Sequence, residues 1–104
     1  YRFMRVLVFF DLPVDTADDK RNYRKFRQLL IKSGFIMLQE SVYAKLTLNY
    51  THMEQIIADI KKGKPPKGSV QILSVTEKQF SKMEIISGKI DTDIINTDER
   101  LLIL

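Results

Sequence analysis

No cysteine occurs anywhere in the chain. That excludes disulfide staples and thiolate zinc sites, and makes a cytoplasmic bacterial setting the plain expectation. No run approaches the roughly 20 apolar residues of a membrane-spanning helix, and no charged-then-apolar signal segment opens the chain, so no membrane partner is expected. Internal repeats and low-complexity tracts are also absent. A single histidine, His52, is present; it falls just inside a helix start and reads as a surface residue, not as a ligand. The chain opens at Tyr1 without a methionine, so a residue or more is expected to precede it.

What is there suits one soluble domain. A chain of 104 residues, 44% hydrophobic and 29% charged, can bury a modest core without staples. The net charge of +4 is small, but its placement is uneven. Lys20, Arg21, Arg24, Lys25, Arg27 and Lys32 share a thirteen-residue segment without an acid, and Lys61, Lys62, Lys64 and Lys67 surround a Pro-Pro turn. Ten of the 17 basic residues thus lie in two short segments. They suggest a polyanionic partner, or else two solvated helix faces.

The chain is organised around residues 5–13. Val6-Leu7-Val8-Phe9-Phe10 is too short an apolar run for a helix and reads as a buried strand. Pro13 cannot donate to a ladder and holds Leu12 extended, so pairing should stop near Asp11. Asp15-Thr16 then offers an N-cap, Asp18 and Asp19 suit the positive end of a helix, and the helix should run from about Ala17 to Ser33, with Gly34 as its stop. Tyr23, Phe26, Leu29 and Leu30 fall on one side and the cations on the other, with Ile31 misplaced among them.

Residues 35–49 are strand-like throughout and should form two strands joined by a tight turn between Gln39 and Ala44. Leu46 and Leu48 alternate there with Lys45, Thr47 and Asn49, as a half-buried strand requires. Thr51-x-x-Glu54 has capping-box spacing and opens a second helix through Met53, Ile56, Ile57 and Ile60 to Gly63. A loop at 64–68, a strand carrying Val70, Ile72, Leu73 and Val75, and one helical turn at Thr76–Phe80 follow. Glu84-Ile85-Ile86 has the composition of a short strand. The apolar ending Arg100-Leu101-Leu102-Ile103-Leu104 must dock somewhere.

This order predicts an α+β fold, the ferredoxin-like βαββαβ arrangement with one antiparallel sheet and both helices on the same face. The first strand is nonetheless apolar on both faces, with Val6, Val8 and Phe10 on one and Leu7 and Phe9 on the other. The uncovered face needs a cover, and a second copy is the simplest. Asp11 shares the parity of Leu7 and Phe9, so two Asp11 carboxylates would approach one another across a homodimer and need a hard cation such as magnesium between them. The alternative is that Asp11 only forms the turn before Pro13.

Several segments together resemble the CRISPR-associated Cas-two family, whose members join the Cas-one integrase to capture new spacers. They are Phe10-Asp11-Leu12-Pro13 after a strand, Gly34-Phe35 leading into Gln39-x-Ser41-Val42-Tyr43, and Val75-Thr76-Glu77-Lys78-Gln79-Phe80. Tyr23-Arg24-Lys25-Phe26-Arg27 and Thr97-Asp98-Glu99-Arg100 look most like the type II-A members that accompany Cas-nine. The resemblance implies a homodimer in which residues 81–104 add a strand to the partner's sheet while residues 1–80 form the ferredoxin-like part of the same domain. It implies Mg2+ (or Mn2+) at Asp11, which would be the catalytic residue, and metal-dependent cleavage of RNA or DNA in some members. It also implies a bridge between Cas-one-type integrase dimers that holds double-stranded spacer DNA. One departure counts against catalysis: many members carry a basic residue two positions before the motif glutamine, where this chain has Met37. Ser41 and Tyr43 are read as packing the sheet or bonding backbone.

Three functions follow. The first is a DNA-binding scaffold for spacer integration, in which Lys20, Arg21, Arg24, Lys25, Arg27, Lys61, Lys62, Lys64 and Lys67 contact phosphates without reading bases. The second is a stand-alone magnesium-dependent endonuclease centred on Asp11, with Phe10 lining its site. The third is a toxin of the messenger-RNA interferase kind on the same fold.

Overall fold

The computed structural model describes residues 3–88. Its centre is β1 (Met4–Asp11), which pairs antiparallel with β3 (Val42–Thr47) on one side and β4 (Ser69–Thr76) on the other. β2 (Ile36–Gln39) pairs outside β3, giving the sheet order β2-β3-β1-β4. Two helices, α1 (Ala17–Lys32) and α2 (Tyr50–Lys62), complete the ferredoxin-like order, and the single turn α3 (Glu77–Ser81) follows β4. The ladder ends at the Asp11–Ser69 pair, as Pro13 requires.

Strand parity divides the apolar residues as the sequence indicates. Val6, Val8 and Phe10 are buried beneath both helices, against Phe26 and Leu30 of α1 and Met53, Ile56 and Ile60 of α2. The Phe10 ring stands edge-on to Tyr23 and Phe26 and stacks on Tyr43 at a centroid distance of 5.7 Å. Each fully buried aromatic of this kind contributes roughly 1.5–3 kcal/mol over its exposed state. On the second face Leu7 packs with Ala44 and with Phe80 of α3. The segment from Met83 to Gly88 lies over the same face and encloses a cleft of ≈ 640 Å³ against Leu7, Phe9, Leu38 and Val42.

Local chemistry fixes the element ends. Thr16 caps α1 through a capping box: its hydroxyl accepts from the Asp19 N–H at 3.0 Å, and the Asp19 carboxylate accepts from the Thr16 N–H at 3.2 Å. Thr76 and Gln79 form the same box at α3. Gly34 follows α1 at φ 92°, a conformation that favours glycine. The turn between β2 and β3 is at Glu40 and Ser41.

Three expectations are corrected. The second helix is capped by Asn49, not Thr51: the Asn49 side chain accepts from the His52 N–H at 2.8 Å, and the helix already begins at Tyr50. The faces of β3 are the reverse of those read from its leucines. Thr47 is fully buried on the helix side, where its hydroxyl donates to the Met4 carbonyl, and Leu48 is exposed beyond the strand. Tyr43 sets that parity because its ring belongs to the main core. Finally, Glu84-Ile85-Ile86 is not a strand; it crosses the second face and has no strand to pair with among the described residues. The apolar ending at 100–104 and the polar run before it lie outside the described residues. Among the described residues no helix is long and apolar enough to cross a membrane.

Candidate functional site

Asp11 is exposed at the carboxyl end of the central strand. The Phe10 N–H donates to the Ser41 carbonyl at 3.0 Å, which draws the β2–β3 turn alongside, while the Asp11–Ser69 pair brings in the start of β4. The result is a shallow depression of ≈ 190 Å³ bordered by Asp11, Ser41, Ser69 and Gln71 over Phe9 and Val42. Its polar groups are hard oxygen donors, with no imidazole or thiol, which suits magnesium or manganese over zinc. Among the described residues one chain supplies one carboxylate to this depression, and no three acidic, cysteine or histidine side chains cluster. Magnesium keeps several waters and takes one or two carboxylates, so the donor set fits a site completed by a second carboxylate or a phosphate.

The cations of α1 are exposed, as the helical pattern requires: Lys20, Arg21, Arg24, Lys25, Arg27 and Lys32 all face solvent, with Ile31 among them. Lys61 and Lys62 end α2, and Lys64 and Lys67 follow in the loop. The two basic segments are adjacent. A Cβ on Gly63 would collide with the Leu29 side chain of α1, and Lys67 Nζ lies 3.9 Å from Asp19 Oδ1. Arg21 pairs with Asp18 at 2.9 Å, but among the described residues no carboxylate pairs with Lys20, Arg24, Lys25, Lys61, Lys62 or Lys64. Among the described residues these cations are therefore largely uncompensated, and Lys67 is followed by Gly68, which lies against the Asp11 main chain.

Two relationships were not evident from the sequence. Arg27 is held in place: its Nε donates to the hydroxyl of the buried Tyr43 at 2.9 Å. That hydrogen bond raises the guanidinium pKa above its ordinary value. On the second face Arg5 is buried and forms a two-pronged bond to Glu77, at 2.8 Å and 2.6 Å, beneath the Phe80 ring. His52 has a structural place, accepting at Nδ1 from the Leu48 N–H at 3.3 Å.

Comparison with known proteins shows the family and the fold. Residues 4–83 match the family model described as CRISPR associated protein Cas2. A Treponema denticola protein named CRISPR-associated endoribonuclease Cas2 is 59% identical over 97% of this chain and 100% of its own length. A Streptococcus mutans protein of the same name is 48% identical over 97% of this chain and 93% of its own. The crystal structure of Streptococcus pyogenes Cas2 at pH 6.5 superposes with a TM-score of 0.61, covering 80% of this chain and 99% of that one at 17% identity. At that identity the superposition speaks for the fold.

Proposed function

This chain belongs to the Cas2 family of CRISPR-associated proteins, and we propose that it acts as a homodimeric scaffold that holds duplex spacer DNA for a Cas-one-type integrase. The observation that carries the reading is the set of exposed cations along α1 and the 61–67 segment, most of which pair with no carboxylate among the described residues. Phosphates satisfy such a set without base contacts, so binding is tight at low salt and indifferent to sequence. The exposed part of the second face along β4 supports the homodimer. Leu73 of β4 is half-exposed beside Leu7, and the outer edge of β4 is unpaired among the described residues, where a strand from a partner can add.

The test compares the full chain with a variant in which Arg24, Lys25, Lys61 and Lys64 are changed to Glu. Labelled DNA duplexes of unrelated sequence should bind the unaltered chain equally, with affinity falling steeply as salt rises. The variant should lose binding and spacer integration while still dimerising. Equal affinity for both proteins would refute the reading.

A second reading is favoured by the exposed carboxylate at the strand end: metal-dependent cleavage of RNA or DNA, the activity named for the relatives. Asp11 would ligate Mg2+ or Mn2+, with the oxygens of Ser41, Ser69 and Gln71 nearby and the partner's Asp11 as the second carboxylate. When bound, the cation would polarise a phosphoryl oxygen or lower the pKa of a water. The Asp11–Ser69 ladder pair holds the main chain at the rim, and the Asp11 side chain is exposed there. Among the described residues no lysine or arginine borders the depression itself, so the charge stabilisation that hydrolysis needs is sparse there.

A further inference from the structure

We propose that Tyr43 is a positioning residue that turns Arg27 from a loose surface cation into an oriented phosphate fork; this inference rests on the nucleic-acid reading above. The Tyr43 side chain is 1% exposed, and its ring is held by stacking on Phe10. Its hydroxyl emerges beside α1 and accepts from Arg27 Nε at 2.9 Å. A guanidinium has five N–H donors in a fixed plane. Using Nε inward fixes that plane: one terminal N–H runs parallel to Nε–H, and the end-on pair of N–H groups on the two terminal nitrogens of this exposed side chain remains for a ligand.

Among the described residues no carboxylate lies within ion-pair distance of those donors, Glu40 acting on Arg27 only at longer range, whereas Arg21 on the same helix is bound to Asp18. Lys20 and Arg24 precede Arg27 at i−7 and i−3, on the same flank of α1, so the fork stands at the end of a cationic row. A phosphate met there is gripped by a preorganised pair of donors, with less side-chain entropy lost on binding. Lys20, Arg24 and Lys25 are exposed and have no such anchor in the described structure.

The test is a double-mutant cycle on duplex binding by the full chain, using a fluorescently labelled DNA duplex. Tyr43→Phe keeps the buried ring and the net charge but removes the acceptor, and should weaken binding about three- to tenfold, the range of one hydrogen bond. Arg27→Lys keeps the charge without Nε and should show the same loss. Arg27→Ala should weaken binding further, and adding Tyr43→Phe to it should cost nothing more. Tyr43→Phe binding as tightly as the unaltered protein while Arg27→Ala binds more weakly would overturn the positioning role and leave the basic band intact. Additive losses in the double variant would also overturn it, because Tyr43 would then act through the fold at large. If Tyr43→Phe fails to fold by circular dichroism, Arg27→Lys decides: unchanged affinity refutes the fork. An unaltered chain that shows no salt-dependent duplex binding removes the scaffold reading itself.

Discussion

Gly68 lies directly against the main chain of Asp11. A Cβ at Gly68 would stand 2.6 Å from the Asp11 carbonyl oxygen and 2.8 Å from Leu12 Cδ2, and the residue has φ +91°. The basic loop and the candidate metal carboxylate are therefore one rigid corner, joined through a position that accepts no side chain.

The consequence for stability is direct. Gly68→Ala combines backbone strain with a clash against main-chain atoms that have nowhere to move. It should destabilise the fold by about 1–3 kcal/mol, the cost of forcing a side chain into this conformation. Urea unfolding followed by circular dichroism measures it. A loss within about 0.5 kcal/mol, the size of an ordinary surface change, would mean that the close approach is absent in solution.

Asp11 itself should be dispensable for folding. It is exposed at a strand end, so Asp11→Asn should change stability by no more than about 0.5 kcal/mol. Duplex affinity should persist or rise slightly, because a negative charge near the basic loop is removed. Any magnesium-dependent cleavage should vanish. A variant that still cleaves on magnesium titration would dismiss Asp11 as the ligand.

The order of elements and the parity of β1 were legible because apolar residues at strand and helix spacing leave few alternatives. Thr16 and Asp19 announced α1 in the same way, by local chemistry within one turn. The second helix start was misread because Asn49 and Thr51 are both capping residues two positions apart, and only the fold decides whose side chain meets a free N–H. The alternation of Leu46 and Leu48 with Lys45, Thr47 and Asn49 points Thr47 outward; its bond to the Met4 carbonyl, 43 residues away, is what permits burial. Separation in sequence likewise hides Arg27 with Tyr43, 16 residues apart, and Arg5 with Glu77, 72 residues apart. The cations themselves were found because a run without acids is visible to simple inspection.

Two ion pairs on this chain should differ sharply in worth. Arg5 and Glu77 have side chains 7% and 19% exposed, whereas Arg21 and Asp18 are 63% and 78% exposed. Glu77→Ala removes a two-pronged acceptor from a buried guanidinium and should cost about 1–3 kcal/mol. Asp18→Ala should cost no more than about 0.5 kcal/mol, because water and salt screen the exposed pair. Thermal unfolding of both variants checks the ratio, and equal losses would contradict it.

The second face supplies the last prediction. Leu73 pairs with Leu7 across β1 and β4, and it remains 52% exposed although Phe80 covers its neighbour. In a lone chain, Leu73→Glu should therefore be nearly neutral, within about 0.5 kcal/mol. In a homodimer closed over this face the same carboxylate would be buried without a partner, which costs several kcal/mol per ion. Sedimentation equilibrium should show the unaltered chain self-associating and the variant dissociating to single chains at the same concentration, with matching circular dichroism. The discriminating result is the pair of behaviours: an intact fold with lost association places the partner on this face. Association that survives the charge places the partner elsewhere, and with it the approach of two Asp11 carboxylates that the metal reading requires.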